Sequence, residues 1–239
     1  MIDVIPRLYR HSIKSYETTT STEFVDNDTT PGTVYYYKVK AIHANSSASS
    51  AKSSGVGQTC KLARPDVEES NVSSTGKIKL EWDKIEGAVK YKIYRRVGKS
   101  GSYKSYETTT STEFIDNDTT PGKVYYYKVK AVHSNSSANS AKSSGVGQTC
   151  KLERPDVTVK LSSGNPKLTW DKVEGAAKYY VYRATSEDGK YTKIKTTTSL
   201  KYTDKSVEEG TTYYYKVKAV HSNSSANSAY SFIVSIAAK

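Results

Sequence analysis

Disulfide and metal chemistry have almost nothing to work with in this chain. Only two cysteines, Cys60 and Cys150, occur in 239 residues, at matching places in two near-identical segments. In an extended array such positions lie far beyond the few ångströms a disulfide spans, so free thiols are expected. No run approaches the roughly 18 apolar residues of a membrane-crossing helix, and the opening Met1-Ile-Asp-Val-Ile-Pro-Arg7 lacks the apolar centre of a signal peptide. No segment carries the 3.6-residue apolar rhythm of a helix. Gly-x-Ser-x-Gly, the phosphate loop, Cys-x-x-Cys and His-Glu-x-x-His are all missing, and the acids are scattered through turns. No nucleophile stands with its base, so neither an enzyme nor a cofactor is expected.

With one Met, two Trp and three Phe, the large side chains are mainly tyrosines, 21 of them. They cluster in the run Pro121-Gly-Lys-Val-Tyr-Tyr-Tyr-Lys-Val-Lys-Ala-Val-His133, which has near-copies at Pro31–His43 and Gly210–His221. On a strand, alternate side chains face opposite ways. Tyr125, Tyr127, Val129 and Ala131 then form a face that can be buried, while Tyr126, Lys128 and Lys130 form one that meets water. Tyr, Val and Thr favour strands, and the class expected is all-β.

The repeat reaches beyond this run. Lys14–Val67 and Lys104–Val157 are identical at 48 of 54 positions, differing at 25/115, 33/123, 42/132, 44/134, 49/139 and 63/153. A period near 90 residues is one small domain, which divides the chain into 1–62, 63–152 and 153–239. Units of this size bury only roughly 60–65% of their extended surface, so they need bulky cores. Copying whole units suits a role in length or multiplicity and does not suit a unique active site.

Unit two opens with Ile78, Leu80 and Trp82 alternating inward, then a Glu86-Gly87 turn and Tyr91–Arg95. Unit three repeats this, with seven strands expected at Val157–Leu161, Lys167–Asp171, Tyr179–Arg183, Tyr191–Thr197, Lys201–Asp204, Thr211–His221 and Ala229–Ile236. Unit one has only residues 1–13 before Lys14, where unit two has about 40, so two strands are missing and an apolar face should stand open. Leu8-Tyr9-Arg10 is the expected counterpart of Ile93-Tyr94-Arg95. Strands are expected over Ser15–Thr19, Glu23–Val25 and Ser49–Thr59. The units are joined by Cys60-Lys-Leu-Ala-Arg-Pro-Asp-Val67 and Cys150-Lys-Leu-Glu-Arg-Pro-Asp-Val157, whose prolines make them semi-rigid.

A tryptophan strand (Trp82, Trp170), then Tyr-x-Ile/Val-Tyr-Arg, then Tyr/Phe-x-Asp, then Gly-x-x-Tyr-Tyr-Tyr-Lys-Val-Lys-Ala resembles the fibronectin type III domain of Gram-positive bacterial surface proteins. The resemblance spans units two and three completely, and unit one from its third strand onward. It implies tandem seven-stranded, immunoglobulin-like β-sandwiches with the first unit incomplete. It also implies an extracellular or cell-surface place, with the secretion signal outside this chain. Tyr35, Tyr125 and Tyr213 fall at the family's tyrosine corner, whose hydroxyl bonds to nearby backbone. The family's Leu-x-Pro-Gly stands here as Thr119-Thr-Pro-Gly122, and the integrin-binding Arg-Gly-Asp is absent.

His43, His133 and His221 each end the tyrosine strand of one unit, one such position per unit, too sparse for a metal site. Asp26-Asn-Asp28 and Asp116-Asn-Asp118 lack the glycine and distal glutamate of a calcium loop and read as Asx turns. Asn-x-Ser/Thr triplets at Asn27, Asn45, Asn71, Asn117, Asn135 and Asn223 would matter only in a glycosylating pathway.

What remains is a basic aromatic stripe of Lys92, Tyr94, Arg96, Tyr126, Lys128 and Lys130, with Tyr214, Lys216 and Lys218 in unit three. With a formal charge of +12, it suits cell-wall or host polysaccharide, or another protein chain, through weak contacts multiplied along the array. No specific nucleic acid is expected, and the same residues also serve solubility. Two roles fit: a spacer and adhesion array of a bacterial surface or phage protein, or the accessory tail of a secreted cell-wall or polysaccharide hydrolase. Self-association through the incomplete first unit is a further expectation.

Overall fold

The computed structural model describes residues 2–4 and 17–239. The strands run in chain order, and β1 (Ile2–Val4), β2 (Glu17–Thr19), β3 (Val34–Tyr37), β4 (Val39–Ala41) and β5 (Val56–Thr59) belong to unit one. Unit two holds β6 (Val67–Asn71), β7 (Ile78–Trp82), β8 (Lys90–Val97), β9 (Lys104–Thr109), β10 (Glu113–Asp116), β11 (Val124–Val132) and β12 (Val146–Thr149). Unit three holds β13 (Val157–Ser162), β14 (Asn165–Trp170), β15 (Lys178–Ala184), β16 (Thr192–Thr197), β17 (Lys201–Thr203), β18 (Thr212–Val220) and β19 (Val234–Ala237).

In units two and three the strands form two antiparallel sheets, one of three strands in the order β10-β7-β6 and one of four in the order β12-β11-β8-β9, with β13-β14-β17 and β16-β15-β18-β19 as counterparts. The tyrosine strand alternates as its sequence predicts. Tyr125, Tyr127, Val129 and Ala131 are buried, and they meet Ile78, Leu80, Trp82, Tyr91 and Ile93 between the layers. Trp82 and Trp170 lie across these cores at 6% and 5% exposure, each ring centre within 5.5 Å of a tyrosine ring, Tyr91 or Tyr179. At all three corners a backbone N–H donates to the tyrosine hydroxyl five residues on: Thr30 to Tyr35, Thr120 to Tyr125 and Glu208 to Tyr213, each at 3.0 Å.

Unit one differs from the expectation at its start. Ile2 faces Ala41 and Val4 faces Val39, as Tyr91 faces Ala131 and Ile93 faces Val129 in unit two. Across the other edge Ile2 faces Thr19 and Val4 faces Glu17, matching Tyr91 with Thr109 and Ile93 with Glu107. Residues 2–4 therefore occupy the place of 91–93, so Val4 stands where Leu8 was expected, opposite the position of Ile93; Leu8-Tyr9-Arg10 itself lies outside the described residues. Glu23–Val25 is not a strand; its counterpart β10 is a strand because it pairs with β7, and among the described residues unit one has no such strand.

The last strand of every unit is shorter than Ser49–Thr59 or Ala229–Ile236. Before it, serine hydroxyls replace the ladder. Val129 and Ala131 N–H donate to Ser143 and Ser140 Oγ, both at 2.9 Å, while the N–H groups of those serines donate back to Val129 and Ala131 carbonyls. Ser231 and Ser228 do the same for Val217 and Ala219. A side chain that satisfies a strand N–H removes the need for a paired backbone carbonyl.

The joints between units are built alike. Leu62 N–H donates to Ala138 O, and Leu152 N–H to Ala226 O, both at 2.8 Å. Both leucines are buried in the core of the unit that follows them. The His133 ring lies over Gly32, and the His221 ring over Gly122. Both glycines have φ near +87°, and a Cβ there would be strained as well as blocked by the imidazole. Asn135 Nδ2 donates to Gly32 O at 3.3 Å, and Asn223 Nδ2 to Gly122 O at 3.4 Å. The second joint has additional supports. The turn between β6 and β7 meets the linker through Lys151 N–H to Gly76 O, 3.0 Å, and Arg154 N–H to Ser74 O, 2.8 Å.

Candidate polymer-contact face

The pairing of β8 with β11 places Tyr126 opposite Arg96, Lys128 opposite Tyr94 and Lys130 opposite Lys92. The stripe expected from sequence is thus one contiguous outer face, with Lys92 exposed and the other five half-buried. In unit three Lys216 stands opposite Tyr182 and Lys218 opposite Tyr180, while Tyr214 faces Ala184.

The cations are turned onto the rings, a geometry stabilised by the ring quadrupole. The Arg96 guanidinium lies 4.6 Å from the Tyr126 ring centre and 4.9 Å from that of Tyr103. Lys142 Nζ stands 3.8 Å above Tyr94. Tyr126 also lies across Gly147, its cross-strand partner, so much of its surface is already used within the sandwich. Each such contact stabilises by about 0.5–1 kcal/mol at an exposed site.

Unit three gathers more rings. Tyr182 and Tyr230 meet edge to face at 5.3 Å, Lys216 Nζ lies 4.0 Å from Tyr191 and 4.6 Å from Tyr230, and Lys218 Nζ lies 4.8 Å from Tyr230. Tyr230 is 40% exposed. Tyr103, Lys142, Tyr182, Tyr191 and Tyr230 were not among the residues singled out by sequence. Tyr182 precedes Arg183 as Tyr94 precedes Arg95, so alignment of the two units could have found it. Tyr230 stands where unit two has Lys142, and only the fold brings that segment beside β18.

A second cluster, buried, was missed in sequence. Asp116 is fully buried and receives Arg95 Nη1 at 2.8 Å, Tyr127 Oη at 2.7 Å, Tyr106 Oη at 2.8 Å and the Asp118 N–H at 3.0 Å. Burial alone would push this carboxyl up, but the hydrogen bonds from Arg95, Tyr127 and Tyr106 and the Arg95 charge hold it below its ordinary value. Burial and the neighbouring carboxylate push the Tyr127 and Tyr106 hydroxyls far up. Asp204 with Arg183 and Tyr215 repeats the cluster. The partners of Asp116 hold its carboxylate charged and occupied, which makes it structural. Asp28 N–H to Asp26 and Asp118 N–H to Asp116, both 3.0 Å, are Asx turns. His43, His133 and His221 each accept, at Nδ1, the N–H of the asparagine two residues on. Among the described residues no group of three His, Cys, Asp or Glu is placed to hold a metal ion, and no helix is long and apolar enough to cross a membrane. Cys60 and Cys150 are free.

Sheets of three and four strands in this order, closed by a tyrosine corner, make units two and three fibronectin type III-like sandwiches. No family model matches the chain. Curated relatives are an amylopullulanase of Thermoanaerobacter thermohydrosulfuricus, 40% identical over 80 residues, and exoglucanase B of Cellulomonas fimi, 28% identical over 241 residues. These matches take in 32% and 89% of this chain but 5% and 21% of the relatives, so the chain spans about a fifth or less of their length. Similar solved structures are the FN1–FN3 domains of chicken CNTN1 (17% identical, 99% of this chain and 91% of that one, TM-score 0.37) and a two-domain fibronectin type III segment of chicken tenascin (16%, 72% and 98%, TM-score 0.45).

Proposed function

We propose that the chain is a non-catalytic spacer and interaction array of an extracellular bacterial protein, whose Tyr–Lys face makes weak, repeated contacts with anionic or carbohydrate polymer. The observation that carries the spacer role is the joint, built twice from the same leucine, glycine, histidine and asparagine contacts. A joint that recurs with its hydrogen bonds fixes the angle between neighbours, and multiplying units then lengthens a stiff arm. The cations lying against tyrosine rings support the contact role, since tyrosine packs on sugar rings and lysine pairs with acidic groups. The relatives named as polysaccharide-cleaving enzymes favour, as a second reading, an accessory segment carried beside a hydrolase domain.

The spacer role is tested by Gly122→Val, which collides with the His221 ring. Small-angle scattering should show a broader spread of distances in the variant than in the parent, with both sandwiches still folded; an unchanged profile overturns the fixed joint. The contact role is tested by retention on immobilised polygalacturonate and on insoluble glucan. Retention on the anionic polymer should fall as salt rises from about 0.05 to 0.5 M, where the Debye length drops below about 5 Å. Replacing Lys128, Lys130, Lys216 and Lys218 by Gln should weaken it without lowering the melting temperature. Equal retention of variant and parent overturns the contact role, and turnover of a glycan by the purified chain overturns both.

A further inference from the structure

Among the described residues, unit one presents a groove of about 500 Å³, lined among others by Phe24, Val25, Tyr35, Tyr37, Val39 and Cys60. Five of these six are the same residue types as Phe114, Tyr125, Tyr127, Val129 and Cys150 of unit two, and Val25 stands for Ile115. In unit two that surface is covered: Phe114 faces Leu80 and Asp116 faces Ile78 on β7, and Ile78, Leu80 and Trp82 fill the layer above Tyr127 and Val129. The polar fittings are equally specific. The Trp82 backbone N–H donates to Thr112 O at 3.0 Å, Lys77 Nζ to Thr119 O at 2.8 Å, and Asn71 Nδ2 to Thr149 O at 3.0 Å. Lys79 bridges to Glu113 at 2.7 Å. The acceptors at those places in unit one are the carbonyls of Thr22, Thr29 and Thr59 and the carboxylate of Glu23.

We propose that this groove is the docking site of a β-hairpin in a partner segment with the chemistry of β6 and β7: an Ile-x-Leu-x-Trp strand set antiparallel to residues 23–26, with a lysine between the first two anchors meeting Glu23. Edge addition supplies the ladder, and the alternate side chains fill the groove. A second copy of this chain is a poor donor, because among the described residues such hairpins, β6–β7 and β13–β14, already close units two and three, and lending one opens an equal face elsewhere. The hairpin also completes the first joint. Its turn would meet Lys61 and Arg64 as Ser74 and Gly76 meet Lys151 and Arg154, giving the first joint the brace seen at the second.

The test adds a synthetic peptide of residues 64–84 to the full chain and follows Cys60 with a maleimide, using Cys150 of the same molecule as the internal control. Cys150 is fully buried and Cys60 is not. In the chain alone Cys60 should react at least about tenfold faster than Cys150. Saturating peptide should slow Cys60 by at least about tenfold and protect the amides of residues 23–26 from hydrogen exchange, while a peptide carrying Leu80→Asp does neither. Unchanged reactivity at millimolar peptide, or an equal effect from the Leu80→Asp peptide, overturns the proposal. So does a Cys60 already slow in a chain that sediments as a dimer, since a second copy then covers the face.

Discussion

Val39 and Val129 sit in the same nine-residue context, Val-Tyr-Tyr-Tyr-Lys-Val-Lys-Ala with a β-branched residue after it, yet Val39 is 41% exposed and Val129 not at all. Ala41, Ala48 and Cys60 are likewise more open than Ala131, Ala138 and Cys150. Local sequence is therefore not what buries these side chains. Unit two has β6 and β7 laid over its tyrosine strand, and among the described residues unit one has no counterpart. A strand's alternation offers a face for burial, and only the opposing layer turns that offer into stability.

The comparison breaks most sharply at the cluster beneath it. Asp116→Ala orphans the Tyr127 hydroxyl and Arg95, and should cost about 3–5 kcal/mol, as removal of one partner of a buried pair does. Asp26→Ala should cost clearly less, because the Tyr37 hydroxyl that donates to Asp26 at 2.8 Å is only half-buried. Urea titrations of the full chain, followed by hydrogen exchange in each unit, measure both. Trp82→Ala should cost a similar 3–5 kcal/mol and bring Cys150 reactivity close to that of Cys60.

Acid sharpens the same point. The Asp116 carboxyl titrates below its ordinary 3.8 in the folded unit, so its contribution is fully present above about pH 4 and is lost as pH falls through the lowered folded value. Unit two should therefore lose stability between pH 5 and about pH 2 by more than an Asp116→Asn variant does, as read from melting curves at each pH. Equal pH slopes for parent and variant would show that the cluster does not hold the charge.

Smaller effects follow the layers. Val129→Ala should cost about 1.5–3 kcal/mol and Val39→Ala under about 1 kcal/mol, in proportion to the area each keeps from water. Ser140→Ala leaves the buried Ala131 N–H without its acceptor and should cost about 1–3 kcal/mol. Its counterpart Ser50→Ala should cost less than about 0.5 kcal/mol, since the Ala41 N–H that donates to Ser50 Oγ is exposed to water. Hydrogen exchange at Ala131 and Ala41 distinguishes the pair. If both serine variants behave alike, the difference between the units does not arise from the covering layer.

Much of the sandwich was legible because its evidence is periodic and short-ranged. Tyr125 to Ala131 alternate with period two, Trp82 and Trp170 mark the facing strand, and the turns are spelled by Gly and Asp. The Tyr126–Lys130 stripe was legible for the same reason. What escaped reading depends on residues brought together over long distances. Asp116 meets an arginine 21 residues earlier and a tyrosine 11 later, and His133 meets Gly32 across a joint. Tyr230 joins the ring cluster only because its segment lies beside β18. The serine pairs escaped because serine is an ordinary loop residue, and nothing in Ser140-x-x-Ser143 announces that its hydroxyls will stand in for backbone carbonyls.

Those serines have a further consequence for a polypeptide made of near-copies. Neighbouring units so alike in sequence are each other's most available wrong partners while the chain is being made, and an unpaired strand margin is where such mistakes begin. Val129, Ala131, Val217 and Ala219 have their amide hydrogens capped by hydroxyls 9 or 14 residues ahead in the same unit. Closing a loop of that length costs less chain entropy than bringing in a sister repeat a whole unit away. Each of these units thus satisfies that stretch of its central strand from within, leaving its twin no free amide at those two positions to pair with.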